Sequence, residues 1–515
     1  MERLPQEVVA RIAGYLPRIH EGKLIRPALA TLSGSWQYAI EALTFQSLQL
    51  TSDHLEVFFA AFANGRTRRR FLRSLCLDII LPRYSDEDCA RYETADDRAA
   101  NNHVFSHHLS ALLQELSQWP AGGKLNLCID MHSPMDGAHR GPDRFDNDLN
   151  QVAVGLRQDI FAERYSYSYI RFADTSPLVI PCVTSFSAPS GPRFLEPASL
   201  VALTAAFPNL ERIHWPFEDP AYFLALRRQQ MQELARAVAS FQPPSGCKSL
   251  LIHINSPWYP HKERLPDLSH GGGHSFCDAL RAMLGRSHVS RFDYEGPIDS
   301  TLFWPAGSSA TDDAMSWKSL SEMEVRFGLG GLAGQWFFKG LPGGDRFYDD
   351  QSSDDDVARP RDGAAGDDRL PPGYYDRDEQ NEAAAALARS MQMPSDEEGL
   401  VVEGCEFRCL PRDEAMLPLL TALARRLART PSLRNVYLEA TLPRDKGSWF
   451  FSYQAPGEMS DWDEYVDCDD ASSRARVFLH AGDWRPDESV VAMLRGIGKA
   501  CHGEDAIVVF LPFLY

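Results

Sequence analysis

The sequence lacks the long apolar runs of membrane proteins, because no run approaches the roughly 18–20 residues that a spanning helix needs. Residues 1–5 also lack the apolar stretch and the small-residue cleavage site of a signal peptide. We therefore expect neither a membrane span nor routine secretion, and an intracellular protein in the cytoplasm, the nucleus or both. The ordinary apolar fraction, 44% of 515 residues, predicts that most of the chain buries a core.

The ten cysteines never occur in the Cys-x-x-Cys spacing of zinc and redox sites, and the closest pair is Cys405 and Cys409. A scattered set in a chain of this size is typical of reduced, mostly buried thiols. We therefore predict no metal and no cofactor.

Basic residues are also scarce: 52 Lys and Arg face 71 Asp and Glu, which gives a net charge of −19. Residues 345–398 carry 16 acidic residues and six arginines, and so contribute −10 of that charge. An acidic chain is poorly suited to the phosphate backbone, so we predict no nucleic-acid partner. The one basic run, residues 66–70, is interpreted as a solvated loop, with a localisation signal or nucleic-acid patch as the alternative.

Beyond the first fifty residues, apolar and polar residues alternate as they do in half-buried strands, and helical stripes lie between several of these segments. The strand positions are Leu75, Leu77, Ile79 and Leu81; Leu125, Leu127, Ile129 and Met131; Leu250, Ile252 and Ile254; Met323, Val325 and Phe327; Val436 and Leu438. The helical positions include Phe105, Leu109, Leu112 and Leu116; residues 222–241; Phe276, Leu280 and Leu284; Leu419, Leu423 and Leu427. Strand-then-helix alternation predicts an α/β protein with a parallel sheet and crossover helices.

Five of the strands are approached through one form, apolar-x-x-apolar-x-apolar, which starts at Leu72, Leu210, Val289, Leu320 and Leu433. This is the skeleton of a leucine-rich repeat, although the starts keep no constant period. We therefore predict an irregular leucine-rich-repeat-like α/β solenoid over residues 51–342 and 400–515. An ordinary α/β domain built from helix–turn–strand units is the alternative.

Residues 343–399 are rich in Asp, Gly, Pro and Ser and poor in large aliphatic side chains. Such a segment cannot bury enough apolar surface to offset its ordering entropy, so we predict a disordered acidic insertion. Within it, residues 382–393 have a helix-forming composition.

Catalytic motifs are weak throughout the sequence. Residues 273–277 begin like a nucleophile elbow, but Cys277 stands where the second glycine belongs. His103, His107 and His108 can share a helix face, yet no nearby carboxylate marks a metal site. We interpret these residues as structural and predict that the protein is not an enzyme, with an unrecognised hydrolase as a minor alternative.

The first fifty residues predict three short helices around a small core. Residues 4–17 read Leu-Pro-Gln-Glu-Val-Val-x-x-Ile-x-x-Tyr-Leu-Pro, and a later apolar segment runs from Leu29 to Trp36. This pattern resembles an F-box at residues 1–50. The whole chain is similar in style to fungal F-box proteins that carry a degenerate leucine-rich-repeat-like region.

The F-box resemblance implies a substrate-recognition subunit of an SCF-type ubiquitin ligase. The F-box would dock on a Skp-family adaptor, and through it on cullin, while the repeat region binds a protein substrate that the sequence does not identify. A non-ligase interaction module, in which the helices only cap the repeat region, is the alternative. The residues that would carry the adaptor contact, the last two of them behind the others, are Leu4, Pro5, Val8, Ile12, Leu16, Leu32 and Trp36.

A second resemblance lies in the acidic insertion. An acidic lead before Ala386, Leu387, Ser390 and Met391 resembles a ubiquitin-interacting motif, a single helix that lays Ala and two apolar residues on ubiquitin. This resemblance implies ubiquitin as a further partner. An Ala-rich helix in a charged linker is the favoured alternative.

Overall fold

The computed structural model of the chain describes residues 4–15, 19–20, 23–63, 66–85, 88, 91–136, 164–165, 167–173, 178–189, 193–220, 223–255, 267–268, 275–306, 317–340, 369–375, 377–391, 409–442, 447–466 and 471–511. For residues 19–20, 23–27, 66, 389–391 and 471 it describes the backbone alone. The described residues form a mixed α/β protein built on one large, mostly parallel sheet. The predicted α/β class is therefore confirmed.

The strands of the described residues are numbered in chain order. They are β1 (Ile19–His20), β2 (Lys23–Leu24), β3 (Ser47–Thr51), β4 (Ser74–Ile80), β5 (Leu125–His132), β6 (Tyr169–Ile170), β7 (Val183–Ser187), β8 (Phe194–Leu195), β9 (Arg212–Glu218), β10 (Ser249–Asn255), β11 (Arg291–Glu295), β12 (Glu322–Phe327), β13 (Phe338–Lys339), β14 (Leu410–Pro411), β15 (Asn435–Thr441), β16 (Ser448–Gln454), β17 (Arg476–His480) and β18 (Ile507–Leu511).

Twelve of these strands form the large sheet, and their order in space is their order along the chain: β3-β4-β5-β7-β9-β10-β11-β12-β15-β16-β17-β18. All neighbours from β3 to β15 are parallel, as the sequence predicts. The remaining strands pair as β1–β2, β6–β8 and β13–β14. Each successive strand is therefore added at the same edge of the sheet. This arrangement is that of a chain that repeats one crossover connection after another.

The direction reverses once, because β16 is antiparallel to both β15 and β17. Parallel neighbours need a crossover of a dozen or more residues, and the chain between β15 and β16 is too short for one. Strand β16 is not among the strands that the sequence predicts. Both of its faces are buried, so its apolar and polar residues do not alternate. β17 and β18 are parallel again.

The helices of the described residues lie between these strands or before them. They are α1 (Gln6–Tyr15), α2 (Ile25–Ala30), α3 (Gly34–Thr44), α4 (Leu55–Ala63), α5 (Arg66–Phe71), α6 (Ala95–Ser117), α7 (Pro197–Thr204), α8 (Leu224–Ser240), α9 (Phe276–Arg286), α10 (Asp378–Met391), α11 (Asp413–Leu427) and α12 (Glu488–His502).

One face of the sheet is buried beneath the crossover helices, and the predicted strand positions lie on that face. All three apolar positions of each of the five repeated approaches are at most 3% exposed, so that form marks where the chain enters the core. In β9, for example, Ile213 and Trp215 are buried, whereas Arg212 and His214 on the other face are exposed. Side chains alternate between the two faces of a strand, so the opposite face of the sheet is open over much of its width.

The predicted regions 51–342 and 400–515 share one sheet, because β12 pairs with β15 along six residues. One hydrophobic core also runs from Leu55 in α4 to Ala506 before β18. The acidic insertion therefore interrupts a continuous body, defined as residues 47–340 and 409–511, and β13 and β14 pair at its two ends.

Two segments differ from their predictions. The basic run at residues 66–70 belongs to helix α5 rather than to a solvated loop, because Arg68 and Arg69 pair with Glu41 and Glu115 on neighbouring helices. The expected disorder of residues 343–399 does not extend to residues 369–375 and 377–391, where helix α10 packs on the body through apolar side chains. The rest of that prediction lies outside the described residues.

Candidate binding surfaces

Helix α1 and the residues just before it expose a row of large apolar side chains. Leu4, Val8 and Ile12 follow one another at intervals of four residues and are 40%, 41% and 38% exposed, and Tyr15 continues the row at 80%. Residues at such intervals share one face of a helix. We call these four residues the apolar stripe.

The adjacent face of α1 forms the small core of the helical unit, defined as residues 4–44. Val9 and Ala13 are fully buried against Trp36, Ala39 and Ile40 of α3. The helix therefore buries Val9 and Ala13 but leaves Val8, Ile12 and Tyr15 exposed. A helix that only completes a core would bury its large apolar residues.

The other predicted adaptor-contact residues take different positions. Pro5 begins α1, and its carbonyl accepts hydrogen bonds from the amides of Val8 and Val9. Leu32 is half exposed, just before the Ser33 side chain that caps α3. Trp36 is 4% exposed inside the unit, so its side chain supports the stripe from behind. Leu16 lies outside the described residues.

The apolar stripe stands out from the rest of the protein surface. Of the large apolar side chains that the described residues leave exposed, six lie within the first 38 residues of the chain and three elsewhere. Scattered exposed apolar residues are normal, whereas a cluster of them marks an interaction surface. The six are Leu4, Val8, Ile12, Tyr15, Leu32 and Tyr38, and the three are Val57, Val179 and Met459.

Helix α5 joins the helical unit to the body. Arg68 donates to Glu41 of α3 at 2.9 Å and lies over the ring of Phe45. The hydrogen bond from Arg68 lowers the pKa of Glu41 against the opposing effect of burial. Arg69 pairs with Glu115 of α6 at 3.1 Å. Two arginines of the basic run are thus engaged within the protein and form no free phosphate-binding patch.

The open face of the sheet carries charged side chains in register across neighbouring strands. Arg291 on β11 lies 3.4 Å from Glu322 on β12, and Arg326 on β12 lies 3.8 Å from Glu439 on β15. Arg326 also pairs with Glu324 of its own strand. Beside these pairs, an open depression of about 150 Å³ is bordered by Arg291, Glu324, Asn435, Tyr437 and Gln454.

The open face ends at the antiparallel strands. There Phe450 and Phe478 are buried, and Trp462 and Tyr465, from the connection before β17, pack against the same cluster. The Phe450 and Trp462 rings lie 5.1 Å apart. The charged surface therefore covers the parallel strands only.

A buried ionic network holds the loops at one edge of the sheet. Arg193, 1% exposed, donates to both oxygens of Asp136 at 2.9 Å and pairs with Glu93. Asp136 also accepts from the Tyr84 hydroxyl, and Glu93 accepts from Asn101. Burial opposes the charge of Asp136, but the hydrogen bonds and charge of Arg193 outweigh it and hold the pKa of Asp136 below its usual value. Each charged group of the network has a partner, so we interpret the network as a structural connection between these loops.

Residues 275–277 of the weak nucleophile-elbow motif belong to the described part of the chain, whereas residues 273 and 274 lie outside it. Ser275 caps helix α9, and its hydroxyl lies 2.8 Å from that of Thr301. Cys277 is fully buried, which raises the pKa of its thiol well above the usual value. Burial, together with the neighbouring Cys128, raises the pKa of Cys76 to about 12. Both thiols therefore stay protonated and poorly nucleophilic at neutral pH.

No group of three or more His, Cys, Asp and Glu side chains in the described part of the chain is arranged to hold a metal ion. The rings of His103 and His107 stack at 6.4 Å on α6 without such a group. None of the helices described is long and apolar enough to cross a membrane.

The residues that resemble a ubiquitin-interacting motif lie on α10. Ala386 is exposed, but Leu387 is half buried and packs against an aromatic cluster of the body. The side chains of Ser390 and Met391 lie outside the described residues. At least one of the two apolar contacts that the motif needs is therefore engaged within this chain.

Comparisons with known proteins were negative: no family model, no curated protein and no solved structure matches this chain. The two surfaces must therefore be interpreted from their own chemistry. The apolar stripe could be found in the sequence from its helical spacing. The charged open face could not, because its pairs join strands that are distant along the chain.

Proposed function

We propose that this protein is a substrate-recognition subunit of an SCF-type ubiquitin ligase. Its helical unit would act as an F-box that docks on a Skp-family adaptor, which connects it to cullin. Its sheet would act as a leucine-rich-repeat-like receptor for a protein substrate. The chain itself would form no covalent bond. It would instead hold the substrate near a ubiquitin-charged enzyme and so raise the effective concentration of the substrate there.

The apolar stripe is the observation that carries the proposal. A helix with exposed side chains at positions i, i+4, i+8 and i+11 presents the surface that a partner helix or groove takes up. The unit also agrees with the F-box pattern at Leu4 and Pro5, where the helix begins. The buried Trp36 fixes α3 behind α1 and so holds the stripe in place.

The body supports the second half of the proposal. Its strands follow one another in chain order, nine of them in parallel, as the strands of a repeat array do. The open face offers paired charges and a shallow depression rather than a deep pocket. A flat charged surface suits a protein partner better than a small molecule, which needs a concave and mostly apolar site.

The experiment is co-expression of the full chain with a Skp-family adaptor. The native chain is expected to form a one-to-one complex, and the double variant Val8→Asp, Ile12→Asp is expected to lose it. The matched control is Val57→Asp with Val179→Asp, because these two valines are 67% and 61% exposed and lie on the body. The control is expected to bind as the native chain does.

The alternative is a non-ligase interaction module whose helical unit only caps the sheet. The ion pair between Glu41 of α3 and Arg68 of α5 supports this alternative, because it fixes the helical unit on the body. A native chain that is soluble alone and does not bind the adaptor would contradict the ligase proposal and leave the cap.

A further inference from the structure

Residues 370–375 have the sequence Leu-Pro-Pro-Gly-Tyr-Tyr. They lie in a groove of the body whose lining residues are distant from them along the chain. Pro371, Pro372 and Gly373 are buried there. The groove is lined by aromatic side chains of the body, and the cluster they form is separate from the core of the sheet. These side chains are Tyr92, Tyr167, Tyr169 and Phe223.

The contacts between segment and groove are those of a bound peptide. The Arg98 guanidinium donates to the carbonyl of Gly373 at 2.7 Å and lies 3.3 Å from the centroid of the Tyr374 ring. The Tyr374 hydroxyl donates to the carbonyl of Tyr167 at 2.9 Å. Within the groove, Pro371–Tyr374 form a β-turn that the Tyr374 amide closes by donating to the carbonyl of Pro371 at 3.3 Å. Pro372 and Gly373 occupy the two central positions, which is the pairing that such a turn favours.

The groove also selects the residue between the prolines and the tyrosine. Gly373 has a φ of +82°, and a Cβ atom there would lie 2.1 Å from the carbonyl oxygen of Glu93. Glu93 cannot withdraw easily, because its side chain is fixed in the buried network with Arg193. Only glycine therefore fits at this position of the bound segment.

We propose that this groove is a binding site for peptides that contain Pro-Pro-Gly-Tyr, and that residues 370–375 occupy it as a tethered, displaceable ligand. A partner protein carrying the same sequence would bind in their place. The segment packs on the aromatic cluster, which is separate from the main core of the sheet. This site needs no adaptor, so it stands independently of the proposed function.

The test uses the full chain and a fluorescent peptide with the sequence of residues 369–377. In the native chain the peptide must compete with its own tethered copy, whose effective concentration is on the order of millimolar. The variant Gly373→Ala forces the tethered copy out by the clash with Glu93 and changes no side chain of the groove. We expect it to bind the peptide at least tenfold more tightly than the native chain does.

A matched control separates eviction from backbone strain. Gly457 has nearly the same φ, +85°, but nothing within 4 Å of an added Cβ. Gly457→Ala is therefore expected to bind the peptide as weakly as the native chain. A peptide with alanine in place of its glycine should bind none of the variants. Adding Arg98→Ala to the Gly373→Ala chain should abolish binding, because both contacts of the guanidinium are lost.

Tyr374→Ala provides a second way to free the groove, since it removes the ring contact with Arg98 and the hydrogen bond to Tyr167. Circular dichroism and thermal melting of each variant accompany the titrations. If folded Gly373→Ala and Tyr374→Ala chains bind the peptide no better than the native chain, the proposal is overturned. It is equally overturned if both variants unfold, because the segment is then a fixed part of the fold.

Discussion

The helical unit and the body handle apolar surface in opposite ways. The unit buries Val9 and Ala13 of α1 against α3 and leaves the four large apolar residues of the stripe exposed. The body buries nearly all of its large apolar residues on one face of the sheet and exposes charged pairs on the other. The comparison indicates that desolvation of apolar side chains would drive binding at the unit, whereas charge complementarity would set specificity at the body.

The largest effect is expected in the buried network of the body. Arg193→Met removes the partner of two buried carboxylates, so it should lower the free energy of unfolding by about 3–5 kcal/mol at pH 7. Denaturant unfolding of the full chain measures this.

The pH dependence of the same variant provides the check. In the native chain the pKa of Asp136 is lowered, so its stabilisation is present above the ordinary carboxyl pKa and is lost as the pH falls through the lower folded value. Without Arg193, burial should raise the pKa of Asp136, and protonation relieves its unpaired charge. The deficit should therefore shrink between pH 7 and pH 5, and a constant deficit would contradict the role given to the network.

A comparable loss is expected in the apolar core beneath the sheet. Trp215 is fully buried, and its indole Nε1–H donates to the Thr204 hydroxyl at 3.0 Å. Trp215→Ala leaves a large cavity and removes one hydrogen bond of the Thr204 hydroxyl, which still donates to the Leu200 carbonyl. The cavity should cost about 3–5 kcal/mol in the same unfolding experiment. Trp462→Ala is the contrasting change, because this half-buried ring lies on the other face, and it should cost less.

The sharpest test of the comparison uses two adjacent valines of α1. Val9 is fully buried and Val8 is 41% exposed. Val9→Ala should destabilise the helical unit by about 1–3 kcal/mol, whereas Val8→Ala should stay within about 0.5 kcal/mol. Hydrogen exchange of the α1 amides distinguishes the two. Equal losses would mean that the stripe is part of the core.

The smallest effect is expected on the open face. Glu324 pairs with Arg326 on β12 but is partly exposed to solvent, so Glu324→Gln should change the free energy of unfolding by about 1 kcal/mol or less. That change should shrink further at 1 M salt, where exposed charges are screened. A larger loss that persists in salt would show that the open face contributes to folding rather than to binding.

Much of the body could be predicted from the sequence. Leu75 and Leu77 alternate with polar residues and lie buried on one face of β4, and the approach that begins at Leu72 leads into the core as expected. The spacing of Val8 and Ile12 likewise placed them on one face of α1. Both predictions rest on periodicity, which each element carries by itself.

Other features could not be predicted, because their partners are distant along the chain. Glu93 and Arg193 are 100 residues apart, and nothing near either residue indicates the other. The composition of the acidic insertion predicts no fixed structure. In the structure, however, the Tyr374 hydroxyl of this insertion donates to the carbonyl of Tyr167, 207 residues away along the chain. Arg68 belongs to a basic run in the sequence, but in the structure it pairs with Glu41 and lies over the ring of Phe45.

The sequence by itself determined the parallel α/β class and the buried face of the strands that it predicts, because hydrophobic periodicity is a local property. Only the tertiary structure decided that the regions on both sides of the insertion share one sheet, and that Val9 faces inward while Val8 faces outward. It also decided that residues 370–375 fill an aromatic groove. These outcomes depend on which surfaces meet, and that is set by the packing of the whole chain.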